Sequence, residues 1–456
     1  MKFLRKYLSL FFFIISIFSF SYIFFKIFNQ GNEEINYNYI YFIFPLIFII
    51  LSIFAHYIKN HAKDNLIIIF INFIFSFYFA ETYLILKNNN FSKSAILDNS
   101  ENEDTRSTFE VHSDLLLKNK DAKVVVAPTG YLNKNNVLIP LSGVSKAETL
   151  YCKENGYYSI YDSDRYGFNN PDYEWDKKNI EYFLIGDSLT QGACVNRPDE
   201  ISSILRILSN KAVLNLGYGG NGPLLKLASL REYLKVKANK IVWIHTEATD
   251  ILDLNFELQD KTLNKYLNDT KFSQNLINKQ KEINKLASLQ ITEARIKKEA
   301  FDIKKNEFNL IKFFKNISAF IKLTNIRTLI ISVFTKDKQS TKNNKKNDLD
   351  FKKEEFKKIL INAKNISQNN DADIYFVFFP SVEHFLKDHD KSKHLQIKRI
   401  IEDLEIPFID LYKEIKKNVD DPVLIYPYNK NSRHYGHLTV EGYKIVAEII
   451  FKRTSN

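Results

Sequence analysis

The chain is poor in cysteine. Cys152 and Cys194 are the two among 456 residues, and no Cys or His pair stands at zinc-ligand spacing, which leaves a metal centre without support. A nucleic-acid partner is excluded in the same way. The net charge is +11, but there is no basic patch interleaved with aromatics and no recognised nucleic-acid motif. The surplus of Lys, Asn and Ile is the bias of an AT-rich gene, and what the charge leaves open is attraction to an anionic lipid or glycan surface. No cofactor is expected either. The glycine-rich stretch Val213-Leu-Asn215-Leu-Gly217-Tyr-Gly219-Gly220-Asn221-Gly222-Pro223 has the wrong spacing for a dinucleotide fingerprint and lacks the acidic residue that should follow.

Charge is scarce in three early runs. Tyr7 to Phe28, Tyr37 to Ile58 and Leu66 to Leu86 are long and apolar enough to cross a bilayer, so residues 1–90 are expected to form a membrane anchor of three transmembrane helices. Lys2, Arg5 and Lys6 ahead of the first run would also suit a signal peptide, but the run is too long and no small-residue cleavage site follows. These charges, with Glu33 and Glu34 in the first loop and Lys59 and Lys63 in the second, put the N-terminus in the cytoplasm and everything after the third span outside. Glu81, near the end of the third span, is expected to snorkel to the interface. Outside the cytoplasm conditions are oxidising, so a Cys152–Cys194 disulfide is expected, with two free thiols as the alternative.

Residues 91–178 read as a linker followed by covering structure. Residues 87–120 are polar and mixed in charge, Lys123 to Pro128 and Val137 to Leu141 look like short strands, and Tyr151 to Trp175 is dense in aromatics that suit covering a sheet edge, with stacking on sugar rings as the sharper alternative. From Asn179 the pattern becomes strand and helix in repetition. Apolar runs at Tyr182 to Ile185, Ala212 to Leu216, Lys240 to Ile244, Ile374 to Phe379 and Ile406 to Ile409 are separated by helical spacing, as in Ile201, Ile204, Leu205 and Leu208 behind an Asp199 cap. This argues an α/β domain over 179–456, doubly wound around a parallel sheet. Residues 255–350 interrupt it with a charged helical insertion, read as packed on the domain, with a lid or a basic face on a membrane as sharper alternatives.

Three strand ends carry polar residues to one edge of that sheet. Tyr182-Phe-Leu-Ile-Gly186-Asp187-Ser188 stops an apolar run at a small-residue turn, which presents Ser188 as a candidate nucleophile; a capping serine is the competing reading. Val213 to Asn215 runs into the glycine-rich turn, whose backbone N–H groups suit an anion. Ile241 to Asp250 ends in His245-Thr246-Glu247-Ala248-Thr249-Asp250. His434-Tyr-Gly436-His437 precedes an apolar helix near the C-terminus.

In this order the motifs resemble the SGNH (GDSL-type) hydrolase family over roughly residues 179–456, as ordered blocks rather than continuous similarity. The resemblance implies a flavodoxin-like three-layer α/β/α domain that hydrolyses or transfers esters by serine and histidine. Gly186-Asp187-Ser188-Leu189 matches its nucleophile block, implying Ser188 as nucleophile and its amide as an oxyanion donor. Asn215 to Gly220 looks like its glycine block, implying Gly220 as a second donor, and His437-Leu-Thr-Val-Glu-Gly442 looks like its histidine block, implying His437 as base. Two departures stand out. The third block, usually Gly-x-Asn-Asp, puts Thr249 in the oxyanion position of the Asn, and losing one such donor costs about a hundredfold or more in rate. His434 stands where the family tends to have the acid that orients the base, and Asp410 reads as structural, so the triad acid is left without a candidate.

The resemblance further implies a bacterial inner-membrane protein with a periplasmic catalytic domain and an acylated envelope glycan as substrate. A transferase would need a membrane acyl-donor protein as partner, because three spans are too few for an acyl channel. The expected function is a membrane-tethered esterase or O-acyl (acetyl) transferase acting on cell-envelope carbohydrate. A non-catalytic glycan-binding or polysaccharide-assembly protein on the same scaffold is the alternative.

Overall fold

The computed structural model describes residues 2–29, 39–97, 104, 106–134, 138–306, 310–329, 352–386, 391–429 and 434–455. The chain divides into two compact units, Met1–Lys93 with Asn309–Ser340, and Ser94–Phe308 with Thr341–Asn456.

The first unit opens with α1 (Lys2–Asn29), α2 (Tyr39–Tyr57) and α3 (Asn60–Leu97). Small polar side chains tie α1 to α2: Ser9 Oγ donates to the Ser52 carbonyl at 2.9 Å, Ser52 Oγ to the Ser9 carbonyl at 2.8 Å, and Ser16 Oγ to the Pro45 carbonyl at 3.0 Å. Three spans were expected, and the described residues hold two helices long and apolar enough to cross a membrane, Lys2–Phe25 and Asn60–Ile85. Of the middle run, the shorter apolar stretch Phe42–Tyr57 is found within α2, a helix of 19 residues that carries Pro45 inside it; Tyr37 and Asn38 lie outside the described residues.

The second unit starts with α4 (Thr108–Lys118), whose first turn is closed by a Ser107/Glu110 capping box. A small sheet follows, with β1 (Lys123–Val124) parallel to β2 (Glu148–Leu150) and β2 antiparallel to β3 (Ile160–Asp162). The expected strand at Val137 to Leu141 does not form. Its described part, from Leu138, is irregular, and the Gln274 side chain supplies the pairing a strand would give, accepting from Ile139 N at 2.9 Å and donating to its carbonyl at 3.3 Å.

The main sheet contains β4 (Asn179–Ile185), β5 (Val213–Asn215), β6 (Lys237–Thr246), β7 (Asp373–Phe379) and β8 (Phe408–Asp410), in the order β5-β4-β6-β7-β8 and parallel throughout. All five expected strands are present. Successive side chains alternate between two cores, as the pleat requires. Phe183, Ile185, Ile241, Trp243, Phe376 and Phe378 join one with α7 (Pro223–Tyr233), α9 (Lys261–Asn268), α12 (Lys353–Asn369) and α13 (Ser392–Asp403). Tyr182, Leu184, Val242, Ile244, Val377 and Phe379 join the other with α6 (Ile201–Ser209), α14 (Leu411–Asn418) and α15 (Val440–Thr454). The cap of α6 is Glu200, whose carboxylate accepts from Ser203 N at 3.1 Å, one residue beyond the expected Asp199.

The aromatic segment does cover the sheet. Asn170 pairs with the outer edge of β5 through its side-chain amide, accepting from Asn215 N and donating to Asn215 O, both at 2.8 Å. Asp164, buried beside it, accepts from Trp175 Nε1 at 2.7 Å and Asn170 Nδ2 at 2.9 Å. Burial raises the Asp164 carboxyl to about 6 against these donors. After β6 come α8 (Asp250–Glu257), α9 and α10 (Gln280–Asn306), with Ile283, Ala287 and Ile291 of α10 buried. The insertion departs from its expected place at α11 (Leu310–Ile321), which belongs to the first unit rather than to the second.

Candidate active site

Strand order reverses around β4, and a crevice opens there at the carboxyl ends of the strands. After β4, Gly186 and Asp187 make the turn, and Ser188 is the first residue of the short helix α5 (Ser188–Gln191), where first-turn amides have no intrahelical partner. Asp187 caps that helix by accepting from Leu189 N at 3.1 Å. The loop beyond is held by Tyr443, whose hydroxyl donates to the Ala193 carbonyl at 2.9 Å.

Ser188 Oγ lies 2.9 Å from His437 Nε2. The other ring nitrogen, Nδ1, lies 3.0 and 2.9 Å from the two carboxylate oxygens of Glu154, and the His437 backbone N–H donates to Glu154 Oε2 at 2.6 Å. The candidate nucleophile, the candidate base and a carboxylate placed to orient that base therefore form one chain of hydrogen bonds. Glu154 was missed in the sequence because it precedes the sheet domain, on the loop between β2 and β3. Gly436 leaves room for it: a Cβ there would stand 2.3 Å from Glu154 Oε2. Asp410 caps α14, with Lys413 N at 3.3 Å, and pairs with His394. His434 contributes backbone to β10 (His434–Tyr435), paired with β9 (Tyr428–Asn429).

Glu154 is brought in by a crosslink. Cys152 and Cys194 form a disulfide, and Asn155 Nδ2 donates to the Cys194 and Leu438 carbonyls, each at 3.1 Å. One residue on either side of Glu154 thus ties its loop to the serine loop and the histidine loop. Glu154, Cys194 and His437 also offer ligand atoms within 4.8 Å of one another, but a disulfide sulfur is not a thiolate and does not make a metal site.

Burial disfavours the charged form of His437, yet its hydrogen bonds to Glu154 and the charges of Glu154 and Asp187 outweigh that and hold the imidazole above its ordinary value. Burial likewise acts to raise the Glu154 carboxyl, and the His437 bonds overcome it and keep it below the usual carboxylate range.

The predicted oxyanion donors fall into two groups. Thr249 borders the same cavity as Ser188, Glu154 and His437, a space of about 240 Å³ walled on its apolar side by Leu189, Phe379 and Val382. Its hydroxyl donates to Asp187 Oδ2 at 3.3 Å. Gly220 adopts a φ of +83° that favours glycine, and a Cβ there would face Ala127 and Thr129. Its neighbour Gly219 is the closer to the serine, since a Cβ there would stand 3.8 Å from Ser188 Cβ, but its amide is taken by Gln191 Oε1 at 2.7 Å.

The Thr246–Thr249 turn rests on a fully buried ion cluster. Lys226 Nζ donates to both Asp250 oxygens at 2.6 Å and to the Ile244 carbonyl at 3.0 Å, while His245 Nδ1 lies 2.8 Å from Asp250 Oδ2. Burial acts to raise Asp250, and the charges of Lys226 and His245 overcome it and hold the carboxyl below its usual range. Glu247 braces the opposite wall, accepting from Ser381 N at 2.9 Å with His384 Nδ1 at 2.7 Å.

No protein-family model and no characterised relative matches the chain. Solved structures similar to it include a member of the lipolytic protein G-D-S-L family from Veillonella parvula DSM 2008, 11% identical with a TM-score of 0.32, covering 61% of this chain and 99% of that one. The acetyl xylan esterase AlAXEase is 12% identical with a TM-score of 0.31, covering 60% of this chain and 100% of that one. Superpositions this loose add no weight to the site, which rests on its own distances.

Proposed function

We propose that the chain is a membrane-tethered SGNH-type serine esterase or O-acyl transferase that handles short acyl esters, acetyl above all, on cell-envelope carbohydrate. The observation that carries this reading is the Ser188–His437–Glu154 chain of hydrogen bonds at the mouth of a cavity sized for a small acyl group. Ser188 Oγ attacks the ester carbonyl as His437 Nε2 takes its proton. The carbonyl oxygen becomes an oxyanion, for which the Ser188 amide, the Thr249 hydroxyl and the Gly220 amide are the candidate donors. The bond to the sugar oxygen breaks as His437 returns the proton to it. Water, or a second hydroxyl in the transferase case, then releases the acyl group by the same steps in reverse. No metal or cofactor enters this chemistry. Tethering by α1, α2 and α3, an odd number of crossings that carries the chain from a cytoplasmic N-terminus to the periplasmic side of a bacterial inner membrane, fits the oxidised cysteines and an envelope glycan as substrate.

The test is hydrolysis of p-nitrophenyl acetate by the purified full chain, with Ser188→Ala beside it. Turnover lost in the variant supports the reading. Absence of both turnover and covalent labelling by a serine-directed phosphonate would sink it in favour of a glycan-binding protein on the same scaffold.

A further inference from the structure

Residues 310–329 leave the sequence neighbourhood of the catalytic fold and belong to the unit of α1–α3. They carry Lys312, Lys315, Lys322 and Arg327 and no Asp or Glu. In α11 the apolar residues Leu310, Phe313, Phe314, Ile317, Phe320 and Ile321 fall at one-face spacing. Ile317, Phe320 and Ile321 are exposed at 39%, 36% and 60%, an apolar surface of the kind that needs a covering phase.

The attachment to α3 is specific. Glu81 is fully buried on a helix that is otherwise apolar around it. Its Oε1 accepts from Asn325 N at 2.9 Å and Asn325 Nδ2 at 2.8 Å, and its Oε2 accepts from Ile326 N at 2.9 Å. It does not reach outward to water as its sequence position suggested. It receives the opening amides of the helical turn at 324–329. Tyr78, one turn earlier on α3, adds a hydrogen bond to the Ile321 carbonyl at 3.1 Å and packs on Phe320 with ring centroids 5.2 Å apart. Counted from Ile85, close to where the apolar run of α3 gives way to Lys87, Glu81 and Tyr78 sit about 6 and 10 Å inside at 1.5 Å per residue. This is the depth at which amphipathic helices lie in a headgroup boundary.

We propose that residues 310–329 form an interfacial membrane element, pinned to α3 by Glu81, with its apolar face in the acyl boundary and its cations on anionic lipid headgroups. The inference rests on the membrane tethering proposed above. The sequence between α10 and α12 then gives the catalytic unit a second attachment to the bilayer. A surplus of cations without an acid selects an anionic surface, at about 1 kcal/mol per residue near it.

The experiment uses the full chain in bilayers of anionic or zwitterionic lipid, brominated either just below the headgroup or near the chain ends. Two single variants report: Ile321→Trp on the proposed element, and Phe75→Trp, 72% exposed on α3 and about 15 Å inside Ile85. Trp175 and Trp243 supply the background. The expected result is loss of roughly half the added Ile321→Trp emission to shallow bromines in anionic bilayers, with less in zwitterionic bilayers at high salt. Phe75→Trp should respond most to deep bromines. Quenching of Phe75→Trp with Ile321→Trp at background overturns the interfacial element and leaves the tether standing, whereas neither being quenched removes the tether itself. Glu81→Gln places an NH₂ group against the Ile326 amide and should lower the shallow quenching of Ile321→Trp. An unchanged signal there overturns the pin.

Discussion

Ser188 and Glu154 reach the same histidine from regions held in different ways. Ser188 and Thr249 follow the ends of β4 and β6, strands whose parallel ladder runs from Asn179 opposite Lys237 to Ile185 opposite Trp243, so the sheet itself sets their spacing. Glu154 stands on a loop of the small separate sheet, between the bonds of Tyr151 N to Ser159 O and Ser159 N to Cys152 O, both 2.9 Å. Among the described residues no ladder joins that loop to the main sheet. The disulfide and the two Asn155 hydrogen bonds take the ladder's place. A carboxylate supplied to the site from outside the sheet requires its own fastening, and here the fastening flanks it on both sides.

The largest effect falls on the sheet-borne side. Ser188→Ala should lower kcat for a short acyl ester by about four orders of magnitude or more, measured by burst and steady-state release of the chromophore. His437→Ala should match it and add little in the double variant, since the two act as one unit. An additive double variant would mean that the pair does not share a proton.

Glu154→Gln tests the other side and should cost up to about ten-thousandfold in kcat, the scale for a triad acid. A residue that merely props the loop would lower rate without touching the pH profile, so the profile decides. His437 must be neutral to accept the serine proton, and Glu154 holds its pKa above the ordinary imidazole value. Removing that charge lets the folded-state pKa fall, and the acid limb of kcat/KM should move to lower pH. A limb that stays in place would assign the orienting role elsewhere.

The two regions also differ in how far the sequence disclosed them. The five sheet strands, Ser188 and His437 were legible because each lies where an apolar run of strand or helix period meets small or polar residues. Glu154 was not, because an acid in a polar loop has no periodicity to mark it, and the expected Asp position before His437 drew attention to the wrong segment. The one available signal was the expected Cys152–Cys194 pair: once it bridges, Glu154, two residues from Cys152, is carried to the serine loop. The strand expected at Val137 to Leu141 failed for a related reason, since a single side chain, Gln274, makes the bonds a neighbouring strand would have made. The fate of α11 was hidden because an amphipathic pattern does not say which surface its apolar face meets.

Reducing the disulfide attacks the fastening without touching the acid. The Cys152→Ser/Cys194→Ser variant should lose about 2–4 kcal/mol of stability in denaturant unfolding, because a crosslink closing a loop of this length restrains the unfolded chain. Its kcat should fall by about a hundredfold, the cost of a misplacement near 1 Å. The loss should stay smaller than that of Glu154→Gln, because Asn155 still holds the loop. A loss equal to that of Glu154→Gln would mean the disulfide alone positions the acid.

The smallest expected change is a gain, at the sheet edge. Thr249 borders the cavity but spends its hydroxyl on Asp187 Oδ2, 3.3 Å away, so it is poorly committed to an oxyanion. An asparagine there has the reach and the second N–H to serve both Asp187 and a developing negative charge. Thr249→Asn should raise kcat by about tenfold while leaving KM unchanged, a fraction of what a complete oxyanion donor is worth because the Ser188 amide already contributes. The KM condition matters, since a gain through KM would mean better binding of the ground state rather than of the oxyanion. No gain in kcat would show that the threonine is not what limits the site, and would turn attention to Gly220, whose side of the turn faces Ala127 and Thr129 rather than Ser188.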